Sequence, residues 1–121
     1  MSAITWLGVA GFGGLGALGR FLLDGLIGAR VEHDFPIGTF VINVSGAFAL
    51  GLVTGLAFDG DALLLAGTAT LGSYTTFSTW MLETHRLREE GEFSQALANT
   101  LISLIAGFGA VTIGRSIGGH L

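Results

Sequence analysis

The chain has no cysteine, no lysine, a single proline at Pro36, and charged side chains at only 12% of its positions. Without cysteine there is no disulfide, no thiolate metal site and no cysteine nucleophile, and the redox compartment leaves no trace. Without lysine the glycines of the first segment cannot form a phosphate-binding loop, which needs Lys-Ser/Thr after its glycines. The five basic residues are all arginines, too scattered to make a nucleic-acid face or a polybasic tract for anionic lipid, and the net charge of -4 comes mostly from the connections. An ordinary soluble domain carries roughly one-quarter charged residues. The deficit points to lipid.

What is there instead is apolar length. Half the residues are hydrophobic, and charge is missing from four stretches: Met1 to Gly19, Phe35 to Phe58, Ala62 to Leu82 and Phe93 to Gly114. Each reaches the ~20 residues that cross a hydrocarbon core of ~30 Å. The pattern predicts an all-α membrane protein of four transmembrane helices, with spans at about 4–23, 37–57, 62–85 and 94–115. Two charged connections, a tight Asp59-Gly60-Asp61 turn and short ends remain, so residues 1–121 read as one compact membrane domain with no room for a soluble one. Met1-Ser2-Ala3 lacks the positive region of a signal peptide, so the first span is expected to be retained.

The twenty-one glycines lie largely inside these spans. Helices in lipid associate through close contact of small residues. Ala47, Gly51 and Gly55 fall on one face of the second span, and Gly8, Gly11 and Gly16 populate the first. Most are expected to serve packing alone.

The third span is interrupted by a polar cluster. Gly72 is followed by Ser73, Tyr74, Thr75, Thr76, Phe77, Ser78, Thr79 and Trp80. Starting from Ala62, ~1.5 Å per residue puts the cluster ~15 Å deep, near the bilayer midplane. Polar groups there are costly unless partnered, and non-helical backbone survives only where it is buried in protein or lines a wet cavity. The third helix is expected to break between about Gly72 and Phe77, at a transport site.

Polar stripes run along two other spans. Thr39 and Asn43 lie one turn apart and lead onto Ala47; Asn99 and Ser103 lie one turn apart and lead onto Gly107. Such faces turn inward, either to line a path or to hydrogen-bond a neighbouring helix, a bond typically worth ~1 kcal/mol or less. Asn43, Ser78 and Thr79 supply N–H and O–H donors, and aromatic edges add weak positive potential. Moving a small ion into low dielectric costs on the order of 20 kcal/mol, whereas a hydrogen bond to a charged group returns ~1.5 to 3 kcal/mol. An anion path built from these groups must stay partly wet. Arg20 reads on position alone as a snorkelling interfacial arginine; beside such a path it would raise anion concentration at the mouth. His33, His85 and His120 lie outside the spans without ligand-like spacing, Glu89, Glu90 and Glu92 read as a solvated face, and no catalytic constellation is evident. The chain is expected to be no enzyme.

Three strings, Pro36-Ile37-Gly38-Thr39-Phe40-Val41-Ile42-Asn43-Val44-Ser45-Gly46, Gly13-Gly14-Leu15-Gly16-Ala17-Leu18-Gly19-Arg20 and Gly72 to Trp80, together resemble the CrcB/Fluc family of fluoride channels. The resemblance covers all four spans in order. It implies an antiparallel, dual-topology homodimer in the plasma membrane of a microbe, exporting fluoride passively through two pores beside a central, structural sodium ion.

Carried over residue by residue, Asn43 matches the pore asparagine and Phe77 the first of two pore phenylalanines. The second is normally Phe and here is Trp80, whose indole has a positive edge and adds an N–H donor. Ser78 and Thr79 match a hydroxyl track, Arg20 a vestibule arginine, and Glu83 an acidic residue one turn after the second aromatic. Thr39 and Ser103, from the polar stripes, are assigned to the same fluoride path. The backbone carbonyls of Gly72 and Thr75 match the sodium cage.

Two other readings compete. A small proton-coupled multidrug exporter of the four-helix type needs a titratable carboxylate within the membrane, and the uncharged stretches lack one, with Glu83 only at an edge. A structural assembly partner would need packing faces but no aromatic-hydroxyl cluster. If both charged connections face one side, Arg20, Arg30, Arg86 and Arg88 stand against Arg115 alone, a bias toward one orientation. The homodimer remains the favoured expectation, with pairing to an oppositely oriented homologue as the alternative.

Overall fold

The computed structural model describes residues 1–31 and 34–121. Its elements are α1 (Ala3–Arg30), α2 (Ile37–Gly55), a third segment made of α3 (Gly60–Leu63), a π-helical stretch (Leu64–Leu71), α4 (Gly72–Tyr74) and α5 (Ser78–Glu89), and finally α6 (Phe93–Gly119). α1, α2 and α6 are long and apolar enough to cross a membrane. The third segment is broken, as its polar cluster predicts.

α1 starts where the Ser2 hydroxyl accepts from the Thr5 amide at 3.1 Å, satisfying a free N–H of the first turn. It does not close near residue 23 but runs on to Arg30. Nothing between Asp24 and Arg30 forbids helix, and a cation in the last turn complements the negative end of the helix dipole. Arg20, expected at the end of the first span, therefore lies well inside its helix. Pro36 caps α2, where its missing N–H is no loss.

α5 ends in a glycine-closed turn. Gly91 takes a φ of 80°, its N–H bonds the Arg88 carbonyl at 3.1 Å, and the Glu92 N–H bonds the Leu87 carbonyl at 2.8 Å. The last carbonyls of α5 are thereby satisfied before α6 begins.

The tightest seam joins α2 to α6. A Cβ added at Gly51 or Gly55 would run into the carbonyls of Val111 or Arg115, and one added at Gly114 or Gly118 into those of Phe48 or Leu52. Each helix thus offers two glycines one turn apart to the other's backbone, the small-residue packing that replaces hydrophobic burial in lipid. α1 packs on the π-helical stretch in the same way, with Gly16 against the Thr70 carbonyl. Gly11, expected to pack, has open space beside it.

The π-helical stretch has no counterpart in the sequence reading. Within it the Thr70 hydroxyl donates to the Leu65 carbonyl five residues back at 2.7 Å, the reach of a widened turn. Only Ile42, Ala69, Leu87 and Ala96 form a buried apolar core among the described residues, while Trp6, Phe21, Phe93, Ile105 and Phe108 are exposed. Such an inside-out distribution suits a protein whose surroundings are lipid instead of water.

Candidate functional site

The break occupies Thr75 to Phe77, with Thr75 extended at φ -82° and ψ 164°. A helix continued through it would send the Thr76 N–H to the Gly72 carbonyl and the Thr79 N–H to the Thr75 carbonyl. Both donors go elsewhere. The Thr76 N–H bonds Asn43 Oδ1 at 2.8 Å, and the Thr79 N–H bonds the Thr76 hydroxyl at 3.2 Å. Asn43 Nδ2 returns a bond to the Thr76 carbonyl at 2.8 Å, and Arg20 Nε donates to the Ser73 carbonyl at 3.3 Å. Side chains of α1 and α2 thus replace the helix bonds that the interruption removes, which is what makes non-helical backbone tolerable inside an apolar segment.

Gly46 lets α2 approach. A Cβ there would collide with the Thr75 methyl and press on the Tyr74 ring, whose hydroxyl pairs with Ser45 at 2.8 Å. The same rerouting deprives the carbonyls of Gly72 and Thr75 of their helical donors. These are the two carbonyls to which the resemblance assigns sodium, and such oxygens suit a monovalent cation. The residues fit the ion.

Beyond the break, Phe77 and Trp80 meet edge to face, centroids 5.7 Å apart at 84°, with Phe77 70% exposed. The Thr76 hydroxyl donates to Thr79 Oγ1 at 3.2 Å and sits 3.4 Å from Ser78 Oγ. Among the described residues the Thr79 hydroxyl proton has no acceptor, which leaves it to donate. Two sequence expectations are revised in detail. Asn43 spends one of its two N–H donors on Thr76. The indole N–H of Trp80 is not offered to a path, because it bonds the backbone carbonyl of Asn99 at 2.9 Å.

An open cavity of about 640 Å³ brings together Asn43, Gly72, Thr75, Phe77, Trp80 and Ser103, joined by Thr76. Arg20, Thr39, Ser78, Thr79 and Glu83 do not line it. Thr39 is buried and turned toward Glu83, whose Oε1 is buried without a hydrogen-bond partner among the described residues. Asp24 lies nearby. His85 pairs with Glu89 at 3.5 Å on an exposed face, and His120 Nδ1 donates to the Ser116 carbonyl at 2.6 Å. His33 lies outside the described residues.

Sequence reasoning assigned no role to Thr76, Thr84 or Gly46. The Thr76 signal was available: a hydroxyl three residues before Thr79 is helix-cap spacing.

Apolar helices around a broken segment beside an open cavity define a multi-pass integral membrane protein. The family model described as "CrcB-like protein, Camphor Resistance (CrcB)" matches residues 7–115, and the chain belongs to that family. It is 52% identical over 113 residues to "Fluoride-specific ion channel FluC 2" of Mycolicibacterium paratuberculosis, covering 93% of each chain. A protein of the same name in Mycobacterium tuberculosis is 46% identical over 117 residues, 97% of this chain and 93% of the relative. Another in Moorella thermoacetica is 40% identical over 121 residues, 98% and 99% of the two chains.

Proposed function

We propose that this chain is a fluoride channel that lets fluoride leave the cell down its gradient, without catalysis. The observation that carries the reading is the break in the third segment, clasped by Asn43 and flanked by Phe77 and Trp80. The remaining Asn43 N–H, the Ser78 and Thr79 hydroxyls and the positive ring edges are donors of modest strength, able to hold a small anion without trapping it. They cannot replace a full hydration shell, so the ion keeps part of its water.

The working unit is an antiparallel homodimer. Phe77 and Ser78 are exposed in one chain, and the cavity stays open on one side, so a second copy would complete the walls. A two-fold axis through the break would bring the Gly72 and Thr75 carbonyls of both copies together. Sodium bound there would supply positive charge that holds the two breaks together. Glu83 and Thr39 at one end, and Arg20 beside the break, belong to the approaches of the path.

The test is fluoride efflux from liposomes that hold only this protein, loaded with potassium fluoride and released by a potassium ionophore. Rapid efflux without a proton gradient is expected. Transport that requires a proton gradient would overturn the reading and revive the exporter.

A further inference from the structure

The second aromatic is held from two directions by one residue of α6. The Trp80 indole N–H donates to the Asn99 carbonyl at 2.9 Å, while Asn99 Nδ2 donates to the Trp80 carbonyl at 3.3 Å and to Thr84 Oγ1 at 2.8 Å. Thr84 Oγ1 in turn donates to the Trp80 carbonyl at 2.9 Å. Asn99 is fully buried at 0% exposure and does not line the cavity. Its Oδ1 accepts from Ser103 Oγ at 3.4 Å, and Ser103 does line it.

We propose that Asn99 is a positioning residue of the ion path: its carboxamide fixes the Trp80 main chain and Thr84 against α6, at the height where the Asn99 main-chain carbonyl meets the indole N–H, so that the indole presents a fixed edge beside Phe77. The proposal rests on the channel reading. A phenylalanine at position 80 has a ring free to turn about its last bond and no donor to anchor it. Tryptophan has a donor on one edge, and tying that edge to α6 decides which part of the ring system meets Phe77 at 84°. The carboxamide does the matching work on the backbone. A buried amide that supplies two hydrogen bonds to the neighbouring helix fixes both the height and the rotation of α5 there. Sequence alone left Asn99 open between a packing bond and a pore-facing group; the structure gives it a third role, acting on the path through another side chain.

The experiment uses Trp6→Phe as the background, since Trp6 is exposed near the start of α1 and its removal leaves Trp80 as the sole tryptophan. Asn99→Leu keeps the volume roughly constant and removes the two carboxamide donors while leaving the main-chain carbonyl that accepts from the indole, so any loosening of the ring comes from the lost clasp on the Trp80 backbone; Thr84→Val, a gentler change, removes one acceptor of that clasp. Two signals are read in reconstituted protein: Trp80 fluorescence anisotropy with acrylamide quenching, and the unitary fluoride current in planar bilayers. Loss of folded protein lowers the number of channels and leaves the unitary current alone, so the current separates positioning from mere stability. Asn99→Leu is expected to lower the anisotropy, raise quenching at least twofold and cut the unitary current at least threefold. Thr84→Val should shift both the same way by less. Unchanged Trp80 fluorescence in both variants, or changed fluorescence with a unitary current within 20% of the background, overturns the proposal. A background protein that passes no fluoride at all brings down the channel reading itself, a result distinct from either.

Discussion

Asn43 holds Thr76 by both edges of its carboxamide, Oδ1 accepting from the Thr76 N–H and Nδ2 donating to the Thr76 carbonyl, each at 2.8 Å. One side chain on α2 thus substitutes for two backbone bonds of a helix that has stopped. The residue that would meet an anion is also the one that keeps the break in shape, so its two roles separate only under substitutions that preserve one of them.

Asn43→Asp keeps the acceptor for the Thr76 N–H but sets a carboxylate oxygen against the Thr76 carbonyl and adds negative charge to an anion path. An unsatisfied buried group costs about 1–3 kcal/mol, and the charge adds to that. Fluoride efflux from liposomes should fall on the order of a hundredfold. Wild-type efflux from the variant would remove Asn43 from the path.

Phe77→Ile keeps bulk and deletes the ring edge. Aromatic edge contacts contribute about 0.5–1.5 kcal/mol, so a roughly three- to tenfold loss of flux is expected. Glu90→Gln is the control, since Glu90 is exposed and pairs with Arg86 at 4.0 Å on an exposed face. Equal losses in the two variants would mean that the assay reports protein quality instead of the path.

Gly114→Ala drives a methyl into the Phe48 carbonyl across the seam of α2 and α6, whereas Gly11→Ala meets open space. Overpacking costs about 1–3 kcal/mol. The thermal midpoint of the detergent-solubilised protein should drop by several degrees for Gly114→Ala and stay put for Gly11→Ala. The reverse order would show the seam to be looser than drawn.

Exchange of sodium for a large organic cation should lower both the thermal midpoint and the fraction of dimer on size exclusion, with titrated sodium restoring them. A ligand bound only by the folded state stabilises by mass action, so the midpoint should track sodium concentration. A midpoint indifferent to sodium would exclude a structural ion at the Gly72 and Thr75 carbonyls.

The legible part of the site was its chemistry. A hydroxyl-rich run beginning ten residues into an apolar span announced a break, and the break lies at Thr75 to Phe77, inside the expected window. The glycine face of the second span, Gly51 and Gly55, was equally readable because it follows helical period. Its partner glycines, Gly114 and Gly118, were not singled out, since nothing in a period on one helix says which other helix it meets. The indole N–H of Trp80 was read as a donor for the path; only the proximity of α6 reveals that Asn99 has taken it.

Composition and period, properties of the chain taken in order, are enough to determine an all-helical membrane protein, its four apolar segments and the place of the polar interruption along the third, because lipid imposes one rule on every residue alike. Which donor meets which carbonyl was decided only in three dimensions. Asn43 and Thr76 are 33 positions apart, and Trp80 and Asn99 are 19 apart. A hydrogen bond depends on a few tenths of an ångström and on direction. Those are set by how Gly46, Gly51 and Gly114 let the helices close on one another, and no local pattern carries that distance.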